Sequence, residues 1–173
     1  MVIRYLKYLS LIIIFVQALP AQAQEERQSE LKAYYLYTFS SYATWEDGVS
    51  DTIFTIGVLG ETDLLQPLQR IAAEKTVNAK PLVIKYWETV DEIESCQILF
   101  IAHSMRKNLK MITEKIADQQ ILTVGDSKGF ARQGVCLNFF IEGEHLRFEI
   151  NRKAIEQQDI YVSSQLLKLG KII

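Results

Sequence analysis

The chain has 173 residues, a length that suits one domain. Hydrophobic residues make up 49% of it and charged residues 23%, which is ordinary for a globular protein with a core. The formal charge is −2 and the basic residues form no stripe, so the electrostatic footprint of a nucleic-acid-binding protein is absent.

Residues 1–23 have the pattern of a secretory signal peptide. Arg4 and Lys7 form a positive n-region, a short apolar run follows, and Ala21-Gln22-Ala23 provides a small-residue cleavage site. An uncleaved anchor is the alternative, but the apolar run is shorter than the roughly 20 residues that cross a bilayer. We therefore expect export to the periplasm and a single mature domain over residues 24–173.

The chain has two cysteines, Cys96 and Cys136. Export would place them in a compartment where disulfides persist. Each lies in or beside an apolar, strand-like run. Strands that are not neighbours hold their Cα atoms farther apart than the roughly 7 Å that a disulfide permits. Pairing stays open, and two separate buried thiols are the favoured arrangement. The cysteines and histidines lack metal-ligand spacing, so we expect no metal and no cofactor.

In chain order, the first half alternates between helices and strands. Helical spacing predicts one helix over residues 25–43, which carries half of the eight tyrosines. A second helix is predicted from a cap at Asp63 to about residue 75. Apolar runs rich in β-branched residues predict three strands, over residues 53–59, 82–87 and 97–102.

The second half continues this alternation and then changes. Ser104 is predicted to cap an amphipathic helix, and a fourth strand follows over residues 121–124. Two strands, over residues 135–141 and 145–151, are joined by a hairpin loop, and two short helices close the chain. We therefore predict an α/β fold, a mainly parallel Rossmann-like three-layer sandwich with an antiparallel hairpin at one edge.

The carboxyl ends of the parallel strands form the first candidate site. In an open α/β sheet, ligands bind beyond these ends, where helix N-termini offer backbone N–H groups to an anion. A small-ligand pocket is predicted here from Gly60, Glu61, Asp63, His103, Ser104 and Asp126. The alternative is that Asp63 and Ser104 only cap helices.

The last predicted strand carries the second candidate site, for a ligand or a partner. Its apolar residues are predicted to face the core: Leu146, Phe148 and Ile150. The opposite face carries the candidate residues His145, Arg147, Glu149 and Asn151. Arg147 is a planar, permanently charged fork that suits an anionic ligand or a partner carboxylate. The alternative is a solvated face with an Arg147–Glu149 pair worth about 0–1 kcal/mol.

Two further pairs of residues are candidate contacts. Ser163 and Ser164 join the partner-binding set, although an N-cap of the last helix explains them more simply. Most aromatic residues of the first helix are expected in the core, leaving Tyr37 or Tyr42 for a partner. Catalysis is not expected, since we predict no nucleophile elbow, phosphate loop or dinucleotide-binding glycine pattern.

A set of segments spread over nearly all of the expected mature chain carries a resemblance to a known family: residues 32–39 with Trp45, 54–60, 96–101, 121–126 with 129–131, 137–139, 147–151 and 163–169. In these segments the sequence resembles the YfiR-like proteins, a family also described as a domain of unknown function. No single segment is specific, but their order and spacing together are. Relatives can carry further disulfide-forming cysteines, so a family-type bridge to Cys96 lacks its obvious partner here.

The resemblance implies a periplasmic regulatory protein that is not an enzyme. Relatives restrain an inner-membrane diguanylate cyclase by binding its periplasmic part, and an outer-membrane lipoprotein relieves that restraint. Related domains are also attached to signalling proteins, and relatives suggest a homodimer. The expected partner is thus an inner-membrane diguanylate cyclase or histidine kinase in cyclic-di-GMP signalling. The alternative is a periplasmic sensor of a small anionic or aromatic metabolite.

Overall fold

The computed structural model describes residues 24–45 and 52–173, so the predicted signal peptide lies outside the described residues. Five helices are described: α1 over residues 24–42, α2 (Leu65–Glu74), α3 (Leu109–Lys115), α4 (Arg152–Gln157) and α5 (Ser164–Leu169). The strands are β1 (Ala43–Trp45), β2 (Phe54–Leu59), β3 (Thr76–Val77), β4 (Lys80–Trp87), β5 (Ile98–Ile101), β6 (Leu122–Gly125), β7 (Leu137–Glu142), β8 (His145–Ile150), β9 (Ile160–Val162) and β10 (Lys171–Ile172).

One sheet organises the chain, in the order β10-β8-β7-β6-β5-β2-β4-β3. Strands β4, β2, β5, β6 and β7 are parallel, and β8 returns antiparallel to β7 as the predicted hairpin. All residues of β2 and β5 are buried, because helices or 3₁₀ segments cover both faces of the sheet. The predicted α/β class, with its mainly parallel sheet and antiparallel edge, is confirmed.

Four short strands were not predicted, because two or three residues carry no readable period. β1 pairs with β9 in a separate antiparallel sheet, and β3 forms a hairpin with the start of β4. β10 lies where the last helix was predicted to continue, and it runs parallel to the end of β8. The helix ends at Gly170, where a Cβ atom would lie 2.5 Å from the ring of Phe148. Only glycine allows the chain to approach β8 so closely.

Helix α1 covers the hairpin through a cluster of aromatic rings. Phe39 stacks on Phe139 with ring centroids 5.9 Å apart and meets Phe148 edge-on at 5.1 Å. Tyr35 lies within 5.9 Å of the same three rings. Such tilted and offset pairs add to the large apolar area that aromatic side chains bury. The cluster fixes where α1 crosses the edge of the sheet that carries β7 and β8.

The opposite face of the sheet has its own core. Leu109 and Ile112 of α3 are buried there with Phe130. Trp87 packs across Gly57 so closely that a Cβ atom at position 57 would collide with the indole ring. The absence of a side chain at Gly57 therefore makes room for the indole of Trp87 against the middle of the sheet.

The two cysteines are buried and unpaired, as the favoured arrangement predicted. Cys96 precedes β5 and Cys136 precedes β7, and β6 lies between these strands. Burial raises the pKa of the Cys96 thiol to about 12 and also raises the pKa of Cys136. Because disulfide exchange proceeds through the thiolate, both thiols are protected from oxidation in the folded protein.

Candidate functional site

The outer face of the β7–β8 hairpin is polar and open, as the alternation in β8 predicted. Leu146, Phe148 and Ile150 are buried toward α1. On the other face the exposure decreases along the strand: His145 and Arg147 are exposed, whereas Glu149 and Asn151 are half-buried. The exposed part of the predicted partner-binding set therefore lies near the hairpin tip.

Arg147 forms an ion pair with Glu142, not with Glu149 as the alternative interpretation held. Its Nε atom lies 2.8 Å from Glu142 Oε2. Phe140 is directly opposite Arg147, so Glu142 is its diagonal neighbour on the same face of the sheet. The two side chains are 55% and 63% exposed, which limits the worth of the pair to about 0–1 kcal/mol. A partner carboxylate can therefore replace Glu142 at little cost.

Asn151 and Ser163 are occupied as helix caps. Asn151 Oδ1 accepts a hydrogen bond from the backbone N of Ala154, and its Nδ2 donates to the carbonyl oxygen of Ala131. Ser163 Oγ accepts from the backbone N of Leu166, which confirms it as the N-cap of α5, and Ser164 is the exposed first residue of that helix. The strand β8 separates both caps from the hairpin tip, so the fold does not join them to His145.

A cavity of about 740 Å³ adjoins the hairpin tip. It is bounded by the first turns of α1 and the start of β8, with lining residues Gln24, Arg27, Gln28, Leu31, Tyr35, Glu144, His145 and Leu146. Its volume is within the range of small-molecule sites. Arg27 faces it together with His145, although more than a hundred residues separate them in sequence. No local pattern marks Arg27, because only the packing of α1 on the hairpin brings it there.

Most tyrosines of α1 lie in the core as expected, but the exposed one is not one of the two that were predicted. Tyr35, Tyr37 and Tyr42 pack against the core, which confirms that most of these aromatics are structural. Tyr37 is also tied to β3, since its hydroxyl donates to the carbonyl oxygen of Thr76. The exposed tyrosine is Tyr34, whereas Tyr37 or Tyr42 was predicted.

At the predicted strand-end pocket, hydrogen bonds join some of the residues to their neighbours. Ser104 Oγ accepts from the backbone N of Glu61 at 3.0 Å, which joins the loops after β2 and β5. Gly60 N donates to the carbonyl oxygen of Trp87. Asp63 instead lines a cavity of about 260 Å³ between α1 and α2, with Arg70. The polar groups of this edge thus hold the loops together.

Both helix caps predicted at this edge are wrong. The N-cap residue of α2 is Leu64, and no side chain caps this helix. A 3₁₀ segment, His103–Asn108, follows β5 before α3 begins, so Ser104 does not cap an α-helix. The α-helix N-terminus expected directly after β5 is instead at Asn108 and Leu109, beyond the 3₁₀ segment.

The prediction that the chain has no nucleophile-elbow spacing is wrong, since residues 125–129 read Gly-Asp-Ser-Lys-Gly. Ser127 follows β6, and its Oγ is hydrogen-bonded to His103 Nδ1 at 2.8 Å. In a nucleophile elbow the serine is exposed at the start of a helix. Here Ser127 is only 2% exposed, and the loop leads into a single 3₁₀ turn (Ala131–Gln133). The hydrogen bond therefore ties the loop after β6 to the loop after β5.

Asp126 anchors α1 to this edge of the sheet. Its Oδ2 atom accepts from Lys32 Nζ at 2.7 Å, and the two side chains are only 17% and 19% exposed. The other oxygen, Oδ1, is buried without a hydrogen-bond partner among the described residues. A charged group loses much of its hydration when it is taken out of water. The Asp126 carboxylate therefore depends on Lys32 to compensate for its lost hydration.

We expect Lys32→Met to lower the free energy of unfolding by about 1–3 kcal/mol in urea denaturation, because it leaves the Asp126 carboxylate unpaired. Arg70→Met is the matched control. Arg70 also joins α1, through Glu30 at 3.0 Å, but both partners are more than half exposed. This control should cost no more than about 1 kcal/mol. Equal losses in the two variants would contradict the anchoring role of Asp126.

Comparison with known structures supports the fold. A conserved domain protein from Vibrio cholerae matches with a TM-score of 0.54 at 11% identity, over 72% of this chain and 56% of that protein. An ABC domain in complex with L-Trp from Streptococcus pneumoniae matches with a TM-score of 0.52 at 11% identity, over 70% and 55%. The chain thus spans little more than half of either protein.

The family is identified by the sequence itself. No curated protein matches the chain. In the described part of the chain, no helix has the length and apolar character needed to cross a membrane. The YfiR/HmsC-like family model (DUF4154) matches residues 29–171, which include α1 from its second turn and every strand of the sheet up to the first residue of β10. The chain belongs to the YfiR/HmsC-like family.

Proposed function

We propose that this protein restrains an inner-membrane diguanylate cyclase by direct contact from the periplasm. The YfiR/HmsC-like family acts with membrane signalling proteins and implies a periplasmic regulator of diguanylate cyclase signalling. In this proposal residues 1–23 are removed on export, and residues 24–173 act as one domain. An outer-membrane lipoprotein would relieve the restraint by competing for the same protein.

The observation that carries the proposal is the hairpin-tip surface, which we define as Arg27, Leu31, Ile141, His145 and Arg147. This surface wraps around the tip, since Ile141 lies on the face of the sheet that α1 covers and Arg147 lies on the opposite face. Leu31 and Ile141 are large apolar side chains left exposed on adjoining elements. Arg27 lies beside Leu31 at the same cavity, and an exposed apolar side chain next to an arginine is typical of the energetically important part of a protein interface. The tip also stands at the end of a rigid hairpin, which limits the entropy lost on binding.

Restraint by this surface would follow from a difference in affinity. If the protein binds the inactive form of the cyclase more tightly than the active form, binding shifts the cyclase toward the inactive form. A competitor that binds the same surface releases the cyclase by mass action. The weak Arg147–Glu142 pair suits such an exchange, because its opening costs little.

The test compares Arg147→Ala with the control Arg106→Ala, another exposed arginine that lies on the 3₁₀ segment after β5. Overproduced wild-type protein should lower cellular cyclic-di-GMP and capture an inner-membrane cyclase after crosslinking. Arg147→Ala should weaken capture about fivefold to thirtyfold, as truncation of an interface arginine commonly does. Arg106→Ala should behave as wild type. Full restraint of cyclic-di-GMP by Arg147→Ala would argue against the hairpin-tip surface.

The second candidate function is a sensor of a small aromatic anion, and the cavity beside Arg27 and His145 favours it. Its walls combine these two cationic or protonatable side chains with the apolar side chains of Leu31 and Leu146. A ligand that binds only the folded protein raises its melting temperature. If the cavity is a sensor site, millimolar 3-phenylpropionate should raise the melting temperature of wild type but not of Arg27→Ala. No rise in wild type would leave the cyclase-binding function as the better account.

A further inference from the structure

A groove lies at the end of the sheet opposite to the hairpin tip and its cavity. Strand β8 begins at the tip and ends at Asn151, which caps α4, so α4 and β9 lie where the parallel strands begin. The groove between α4, β9 and α5 has a volume of about 380 Å³. Its floor is apolar and is formed by Ile155, Ile160, Val162 and Leu167. This volume is near the lower limit of small-molecule sites, so the groove fits a few side chains and not a whole helix.

An aromatic wall and a carboxylate border this floor. Tyr161 projects from β9 and is 65% exposed, because β9 alternates and directs Ile160 into the core instead. Glu156 is already paired with Arg152 at 3.7 Å, so these two charges largely offset each other. Asp159 also lines the groove, and its carboxylate has no ion pair or hydrogen bond among the described residues. The groove therefore presents one uncompensated negative charge beside an open aromatic ring.

The position of Asp159 is unfavourable for the fold of the free protein. Its φ is +50°, a left-handed conformation that glycine or asparagine adopts more readily at the end of a helix. Its charge also lies at the C-terminal end of α4, where the helix dipole disfavours a carboxylate. Asparagine would avoid both costs, so the carboxylate at this position has no evident structural benefit.

We propose that this groove binds a short extended segment of a partner protein, one that carries an apolar side chain next to a lysine or arginine. The apolar side chain would lie on the floor of the groove. The basic side chain would reach the Asp159 carboxylate across the face of Tyr161, which attracts cations through its ring electrons. Charge complementarity favours this class of partner, since the charged side chains that line the groove, Arg152, Glu156 and Asp159, sum to one negative charge.

This groove is independent of the hairpin-tip surface and does not rest on the function proposed for it. The two surfaces share no residue and lie at opposite ends of β8. A protein with two separate docking surfaces can hold two envelope components at once. Loss of binding at either surface should therefore leave the other intact.

The test is a titration of the ¹⁵N-labelled protein followed by NMR chemical shifts. The probe is the capped peptide Ac-Leu-Lys-Leu-Lys-NH₂, and the matched probe is Ac-Leu-Glu-Leu-Glu-NH₂. We expect the basic peptide to shift the resonances of residues 155–162 and 167, and the acidic peptide to leave them unchanged. Asp159→Asn should weaken binding of the basic peptide about twofold to fivefold, the effect of one partly exposed ion pair.

Asp118→Asn is the control, because Asp118 also has a positive φ after a short helix but does not line the groove. It should bind the basic peptide as wild type does. Asp159→Asn should also melt no lower than wild type, so weaker binding would not reflect unfolding. Equal binding of both peptides, shifts elsewhere on the protein, or no shifts would overturn the proposal. Concentration-dependent shifts of the same resonances without peptide would make a second copy the occupant and would also overturn it.

Discussion

The packing of α1 on the β7–β8 hairpin is the contact on which the rest of the account depends. The ring of Phe39 lies within 5.9 Å of the rings of Phe139 and Phe148, and loss of one such buried ring commonly costs about 3–5 kcal/mol. The helix reaches past this cluster toward the hairpin tip, so its first turns carry Arg27 beside His145. The hairpin-tip surface exists only where α1 meets the hairpin, because each of them contributes some of its residues. Its geometry is therefore as rigid as the aromatic contact that joins them.

A second contact sets the orientation of the helix along its length. The half-buried pair of Lys32 with Asp126 ties α1 to the loop after β6, at the edge where ligands of open α/β sheets usually bind. The same edge is tightened by the hydrogen bond of Ser127 to His103. These contacts already occupy part of the polar groups that a strand-end ligand would need. At the end of the sheet where the parallel strands end, the exposed polar and apolar side chains of the candidate site lie at the hairpin tip.

The sequence predicts the elements whose pattern is local. It does not predict the elements that form only by pairing with a distant segment of the same chain. The alternation in β8 and the continuous burial of β2 follow from side-chain period, and both are found. β1 and β9 have three residues each and exist only because they pair with each other. Ser104 has the residue type of a cap, yet its hydroxyl bonds to Glu61 of another loop, a choice that only tertiary packing makes. The position of Arg27 at the cavity could not be predicted for the same reason. The glycine-serine spacing around Ser127 could be recognised in the sequence, but the burial of Ser127 could not be predicted from it.

In the proposed function, the hairpin-tip surface, assembled by α1 and the β7–β8 hairpin, contacts the membrane partner. Site-specific photocrosslinking in living cells tests it most directly, with a photoreactive amino acid placed at position 27, 145 or 107. Lys107 is the control, because it is exposed on the 3₁₀ segment after β5 and lies outside the hairpin-tip surface. The account predicts that positions 27 and 145 capture the same inner-membrane signalling protein and that position 107 does not. Capture from position 107 alone, or equal capture from all three positions, would contradict it.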